Sequence, residues 1–250
     1  MIRLPIFTVD GNIGSGKSTT LEYLHRHYGV PIDLEPVARW QPFLEDMYAG
    51  HTGVFDFQTR VWLDRCWLQP RNSDSSVLME RSPFFQRMVF VEAIREGREI
   101  TERQYQLLNE MYQRTFYQWE PMGYIYLRTN PDACAGRIRR RGRPSEEAIS
   151  ADYLRMLHRL HESAYIHAAS SGFPVVLIDA EGKSVDRVAA EIWHALHYFI
   201  GFVPPAAAGR PRVPVRFPPP PLPPWLWPQQ PPPPPPRRPS TPGGQQEISP

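Results

Sequence analysis

Residues 11–18 read Gly11-Asn12-Ile13-Gly14-Ser15-Gly16-Lys17-Ser18, a complete G-x-x-x-x-G-K-S, and Thr19 leads from it straight into a helical stretch. The apolar run Ile2 to Val9 stands just ahead of it. Strand, glycine-rich loop and helix in that order form a phosphate-binding loop. The glycines let backbone N–H groups turn inward around phosphates, Lys17 reaches the β and γ oxygens, and the Ser18 hydroxyl can ligate Mg²⁺. The helix N-terminus adds its partial positive charge. A glycine-rich turn arising by chance is the alternative, and the strand before and helix after argue against it. Lysine occurs only twice in the chain, and one of the two is here. Gly11 to Thr19 are therefore read as the binding loop for a nucleoside triphosphate.

Working outward, short runs rich in Ile, Val and Leu recur at Pro31 to Leu34, Val77 to Met79, Tyr124 to Leu127 and Val175 to Ile178. They have the continuous apolar character of strands buried on both faces of a parallel sheet. Between them, Leu21, Leu24 and Tyr28, then Leu154, Leu157, Leu160 and Ala164, then Val185, Val188, Ile192 and Leu196 fall at three- and four-residue spacings. Those are amphipathic helices. The alternation predicts an α/β fold: a P-loop NTPase-type, doubly wound, five-stranded parallel sheet flanked by helices.

Three further groups bear chemistry. The second strand runs into Asp33-Leu34-Glu35-Pro36-Val37, which places a carboxylate at the ligand-binding edge of such a sheet, where it could take a proton from an attacking hydroxyl. Alone, Glu35 reads first as a solvated acid closing a strand. The third strand runs into Glu80-Arg81-Ser82; an acid there can organise Mg²⁺ and the arginine can neutralise a phosphoryl group in transfer, the bland reading being a surface salt bridge. Arg137, Arg139, Arg140, Arg141 and Arg143 precede Glu146 and Glu147. Beside a phosphate loop, this run reads as a lid closing over ATP rather than as a solvated helix face.

The combination GNIGSGKST, EPVARW, FQT, ERSPFF and YLRTNPDACAGRIRRRGRPSEE resembles the deoxyribonucleoside kinase family, over about Phe7 to Ile166 and with its landmarks in order. The resemblance implies ATP as phosphoryl donor, Mg²⁺, a deoxyribonucleoside substrate and a homodimer packed through helices. By position it implies Glu35 as the base for the nucleoside 5′-hydroxyl and Arg81 on the phosphoryl region, with Lys17 on the phosphates. Ser18 and Glu80 fall on Mg²⁺, and Arg137, Arg141 and Arg143 in the lid. Glu146 matches the carboxylate on the sugar 3′-hydroxyl and Tyr48 its partner. Trp40, Gln58, Val61 and Phe90 match the base pocket, with Gln58 pairing to the base edge and Phe90 stacking. An amide carries a donor and an acceptor side by side, which suits that role.

Two positions depart from the pattern. Arg65 stands where one branch of the family has an arginine, yet the usual acidic partner is replaced by Gln86. Arg65 is then expected to pair with Asp64 or Glu35, or to point at a base carbonyl. Ser145 replaces the first of two lid acids, and a slip of one residue would move the sugar contact to Glu147. A thymidylate-type monophosphate kinase shares this fold, and a nucleotide-binding scaffold is the reading from another class.

Composition sets the remaining limits. Of 30 prolines among 250 residues, 20 follow Gly201. Residues 1–203 are read as the kinase-like domain and 204–250 as a disordered tail of polyproline II character, since proline lacks an N–H and fixes φ. The tail holds five arginines against one acid, whereas the body has 23 basic against 25 acidic residues. A nearly neutral body gives no electrostatic reason to expect nucleic acid. Pro232, Pro235 and Arg237 form a PxxPxR pattern of the kind SH3 or WW-type domains grip, although a run of six prolines before arginines produces one almost automatically. Cys66 and Cys134 are too few for a disulfide framework. The N-terminal apolar run is shorter than a signal-peptide core, and Ile192 to Val203 is too short for a bilayer. The expectation is a cytoplasmic protein with no membrane contact. Scarce lysine beside abundant arginine, alanine and proline points to GC-rich coding, with a viral source among the candidates.

Overall fold

Tyr124 and Tyr126 on one face and Ile125 and Leu127 on the other are all buried, so this strand, as its composition predicts, is covered on both sides. It is β4 (Gly123–Arg128) of a sheet that also contains β1 (Ile6–Asp10), β2 (Ile32–Asp33), β3 (Val77–Glu80) and β5 (Val175–Asp179). The order is β2-β3-β1-β4-β5, and every pairing is parallel. The structure, a computed structural model, describes residues 6–66, 76–116 and 123–199. The expected Ile2 to Pro5 part of the first strand, the tail from 204 and the Tyr48 side chain lie outside the described residues.

The connecting helices are α1 (Lys17–Tyr28), α2 (Val37–Tyr48), α3 (Val54–Cys66), α4 (Pro83–Phe85), α5 (Glu92–Glu96), α6 (Glu102–Phe116), α7 (Pro131–Arg141), α8 (Ala151–Ser170) and α9 (Val185–Tyr198). A turn of π-helix, Gln86–Val91, joins α4 to α5. On one face of the sheet, Phe7, Val9, Leu78, Ile125 and Leu127 pack against Leu21 and Leu24 of α1 and Val188 and Ile192 of α9. On the other, Tyr124 and Tyr126 pack against Phe84, Phe85 and the Leu157, Leu160 and Ala164 stripe of α8.

Two details differ from the sequence reading. β2 is two residues long rather than Pro31 to Leu34, because it lies at the sheet edge between Pro31 and Pro36 and pairs only Ile32 with Leu78 and Asp33 with Met79. Tyr28, spaced with the buried leucines of α1, is 38% exposed and leans on Trp193 instead. β3 and β2 lie on one side of β1 and β4 and β5 on the other, so the loop after β1 opens at the switch point of the sheet.

Candidate active site

The loop after β1 is shaped by close approach as much as by backbone freedom. Gly11 has φ +152°, and a Cβ there would lie 2.6 Å from the Leu127 carbonyl oxygen; Gly14 has φ +76°, and its Cβ would lie 2.8 Å from that of Cys134. Only glycine lets β4 and α7 come this near. The Asn12 side chain donates to the Leu154 carbonyl (2.9 Å) and accepts from the Ile13 N–H (2.8 Å), so it ties the loop to α8. Lys17 is buried, with Nζ donating to the carbonyls of Gly11 (3.2 Å) and Asn12 (3.1 Å).

Carboxylates from three strand ends converge beside Lys17. Ser18 Oγ donates to Glu80 Oε1 at 2.8 Å, and Lys17 Nζ is 4.0 Å from the same oxygen. The Glu35 N–H donates to Glu80 Oε2 at 3.3 Å. Arg81 Nε donates to Glu35 Oε1, and its guanidinium lies 4.0 Å from the centre of the Phe90 ring. Arg81 has φ +63°. That strained turn is fastened on both sides: the Arg81 N–H donates to the Val9 carbonyl (2.9 Å), and Ser82 gives its N–H (2.7 Å) and hydroxyl (3.0 Å) to Asp10 Oδ1.

Proximity sets the charge states. Burial pushes Glu35 upward, but Arg81, Lys17 and Arg65 outweigh it and hold the carboxyl below its usual range. Glu80 is raised, by burial first and by the Glu35 charge second. Burial raises Asp10 to about 6 against the opposing bonds from Ser82 and Thr8.

A cavity of about 970 Å³ runs from the loop and α7 across this centre to α2, α3 and the π-turn. Of the expected nucleotide contacts, Ile13 to Thr19, Arg137, Arg141 and Arg143 line it. Gly11 and Asn12 do not; they shape the loop from behind. Arg137 Nη1 donates to the Ser15 carbonyl at 2.8 Å. Arg141 is bonded to Glu146 through Nε (3.0 Å) and Nη2 (2.6 Å), so the lid arginine and the lid acid hold one another. Glu146 lines the cavity and Glu147 does not.

At the far end, Trp40, Gln58, Val61, Gln86 and Phe90 all line the cavity. Gln86 Nε2 donates to Gln58 Oε1 at 2.9 Å, both side chains buried. Trp40 Nε1 donates to Asp64 Oδ2 at 3.0 Å. Arg65 corrects the expectation. It is not among the lining residues and is bonded to neither Asp64 nor Glu35. Its guanidinium donates to the carbonyls of Leu34 (3.2 Å) and Glu80 (2.6 Å) and pairs with Asp33 (3.5 Å). Asp64 belongs to Arg60 (2.7 Å) and Arg39 (3.3 Å). Backbone carbonyls exposed by the short β2 and the end of β3, with the Asp33 carboxylate, claim the guanidinium before a ligand can.

Two residues escaped the sequence reading. Asp10 was hidden as the last residue of an apolar strand. Lys183, the second lysine, lines the end of the cavity beside the loop, and only its rarity in the sequence marked it. Among the described residues no three His, Cys, Asp or Glu gather as a metal site, and no helix is long and apolar enough to cross a membrane.

A phosphate loop at the switch point of a parallel sheet, opposite a carboxylate–arginine centre, defines a P-loop phosphotransferase. The chain belongs to the deoxynucleoside kinase family, whose model matches residues 7–200. It is 34% identical over 188 residues to mitochondrial thymidine kinase 2 of Homo sapiens, covering 70% of this chain and 71% of that one. It is 32% identical over 196 residues to a thymidine kinase of Ictalurid herpesvirus 1 (73% and 83%), and 28% over 189 to a probable deoxycytidine kinase of fowlpox virus (72% and 80%). Among solved structures, deoxyadenosine kinase from M. mycoides superposes with a TM-score of 0.65 at 24% identity, covering 77% of this chain and 98% of that one. Family membership makes the chain an ATP-dependent nucleoside kinase.

Proposed function

We propose that the cavity passes the γ-phosphoryl group of ATP to the 5′-hydroxyl of a deoxyribonucleoside, with Glu35 as general base. The observation that carries this is the position of Glu35: at the seam between the phosphate loop and the aromatic, amide-lined end, kept ionised by Arg81 and Lys17. Glu35 takes the 5′-hydroxyl proton as that oxygen bonds to the γ-phosphorus, and ADP departs. Lys17 holds the β and γ oxygens, while Arg81, Arg137, Arg141 and Arg143 spread the charge of the transferring group. Thr19 and Ile13 to Gly16 wall the phosphates. Mg²⁺ fits Ser18 and Glu80, whose oxygens are 2.8 Å apart and whose raised carboxyl a cation would relieve; it needs only one or two protein oxygens beside phosphate and water. When bound it neutralises phosphate charge.

Trp40 and Val61 wall the base, Phe90 stacks on it and Gln58 pairs with its edge, while Glu146 and Tyr48 take the sugar. The domain boundary near 203 accords with a family match that ends at 200. A homodimer is supported by Leu63 and Leu107, exposed on the neighbouring helices α3 and α6. Both cysteines are buried and unpaired, which supports a reducing compartment. The test is MgATP-dependent monophosphate formation with thymidine, deoxycytidine, deoxyadenosine, deoxyguanosine and thymidylate. Phosphorylation of thymidylate alone would replace this reading by a monophosphate kinase. In Glu35→Gln, kcat is expected to fall by about 10²–10⁴ while nucleoside still binds; near-normal turnover would remove Glu35 from the role.

A further inference from the structure

We infer that Gln86 is a positioning residue that lets Gln58 turn its amide either way, so that the site accepts an oxo pyrimidine and an amino pyrimidine alike; this rests on the nucleoside reading of the cavity. The two amides are buried, 3% and 4% exposed, at the base end. Gln86 Nε2 donates to Gln58 Oε1 at 2.9 Å. Arg65 and Arg81 are held elsewhere: Arg65 is bonded to the backbone carbonyls of Leu34 and Glu80 and Arg81 to Glu35 across the face of Phe90.

Each amide has an acceptor oxygen and a donor nitrogen on opposite sides of one carbon, and half a turn about the last side-chain bond exchanges them. In the orientation seen, Gln58 Oε1 faces Gln86 and Nε2 lies beyond it. If both amides turn over, Gln58 Nε2 donates to Gln86 Oε1, and the bond between them survives. The base edge meets acceptor then donor in the first state, and donor then acceptor in the second. Thymine offers N3–H and O4 at the two places where cytosine offers N3 and N4–H₂, so each state pairs with one of them. An acid in place of Gln86 can only accept, and would lock Gln58 with Nε2 toward it.

The test compares thymidine with deoxycytidine, by calorimetric binding and by kcat/KM, in the intact chain, Gln86→Glu and Gln86→Leu. The unaltered protein is expected to handle both within about fivefold. Gln86→Glu should split the ratio by at least about tenfold, because one base then leaves a buried amide unpaired. Gln86→Leu, which keeps the volume without an amide, should raise both KM values and leave the ratio near its starting value; it carries the comparison if the charged variant does not fold. A hundredfold preference in the unaltered protein, no split in Gln86→Glu, or a split in Gln86→Leu would overturn the inference while leaving the kinase reading intact. Equal binding of both nucleosides without phosphorylation would uphold the inference and sink that reading, and binding of neither overturns the inference.

Discussion

Arg81 shows how a single residue can carry strain for a purpose. A φ of +63° costs a non-glycine residue of order 1–3 kcal/mol, and it is met here by bonds that the Arg81 and Ser82 N–H groups donate to Val9 and Asp10, which keep the turn closed. The turn sends the guanidinium across Phe90 to Glu35 rather than back along the strand. Arg81→Lys keeps both the strain and the charge but loses the planar fork, so its folding stability should stay close to that of the unaltered chain. Its kcat should fall by about 10²–10³, the usual effect of removing one fixed donor from a site where charge develops. Steady-state kinetics beside thermal unfolding checks this, and turnover within a few-fold of normal would show that only the charge matters. Glu35, Lys17 and Glu80 were legible in the sequence because each stands at a fixed offset from a strand end. Arg65 was not, because its direction is set by the carbonyls of Leu34 and Glu80, which no local pattern encodes.

At the scale of elements, α8 and β1 place two buried titratable groups whose effects oppose one another. His161 of α8 donates Nδ1–H to the Leu157 carbonyl (2.7 Å) and stacks on Tyr126; burial lowers it from 6.5 to about 3. Its contribution to stability is complete above pH 6.5 and is lost as pH falls toward 3, on the order of 5 kcal/mol in all. Asp10 of β1, raised to about 6, works the other way: its contribution is complete below 3.8 and is lost as pH rises through 6. Between pH 4 and 6 the two slopes cancel, so denaturant unfolding of the intact chain should change little with pH there. His161→Phe keeps the ring stack and removes one slope, so it should become more stable on acidification across that window. Asp10→Asn should become less stable, and parallel profiles for all three proteins would refute the pairing. Among the elements, the strands were readable as short continuous apolar runs and α1, α8 and α9 as stripes at three- and four-residue spacings. The π-turn of Gln86–Val91 was not, because one extra residue in a helical turn leaves the apolar spacing almost unchanged. That turn brings Gln86 and Phe90 to the same cavity.

For the whole molecule the question is where the catalytic body ends. The described cavity lining runs from Ile13 to Val188, and the family match stops at residue 200. The last described contact matters more: Phe199 packs against Phe7 with ring centres 5.7 Å apart, and a Cβ on Gly123 would lie 2.8 Å from its ring. That aromatic closes the core beneath β1 and β4. A chain ending at 203 therefore keeps every described contact and sheds the segment with five arginines and one acid. Its kcat/KM and unfolding midpoint should match those of the full chain, its isoelectric point should drop because the body has an excess of two acids, and any binding to an SH3-type domain should vanish. A chain ending at 198 loses Phe199 as well, and should be less stable by about 3–5 kcal/mol, the range for removing a buried phenylalanine side chain. Measuring both chains separates the two roles that proline and aromatic residues play near this end. Lost turnover in the 203-residue chain would mean that the tail acts in catalysis, and equal stability of the two shortened chains would mean that Phe199 does not close the core.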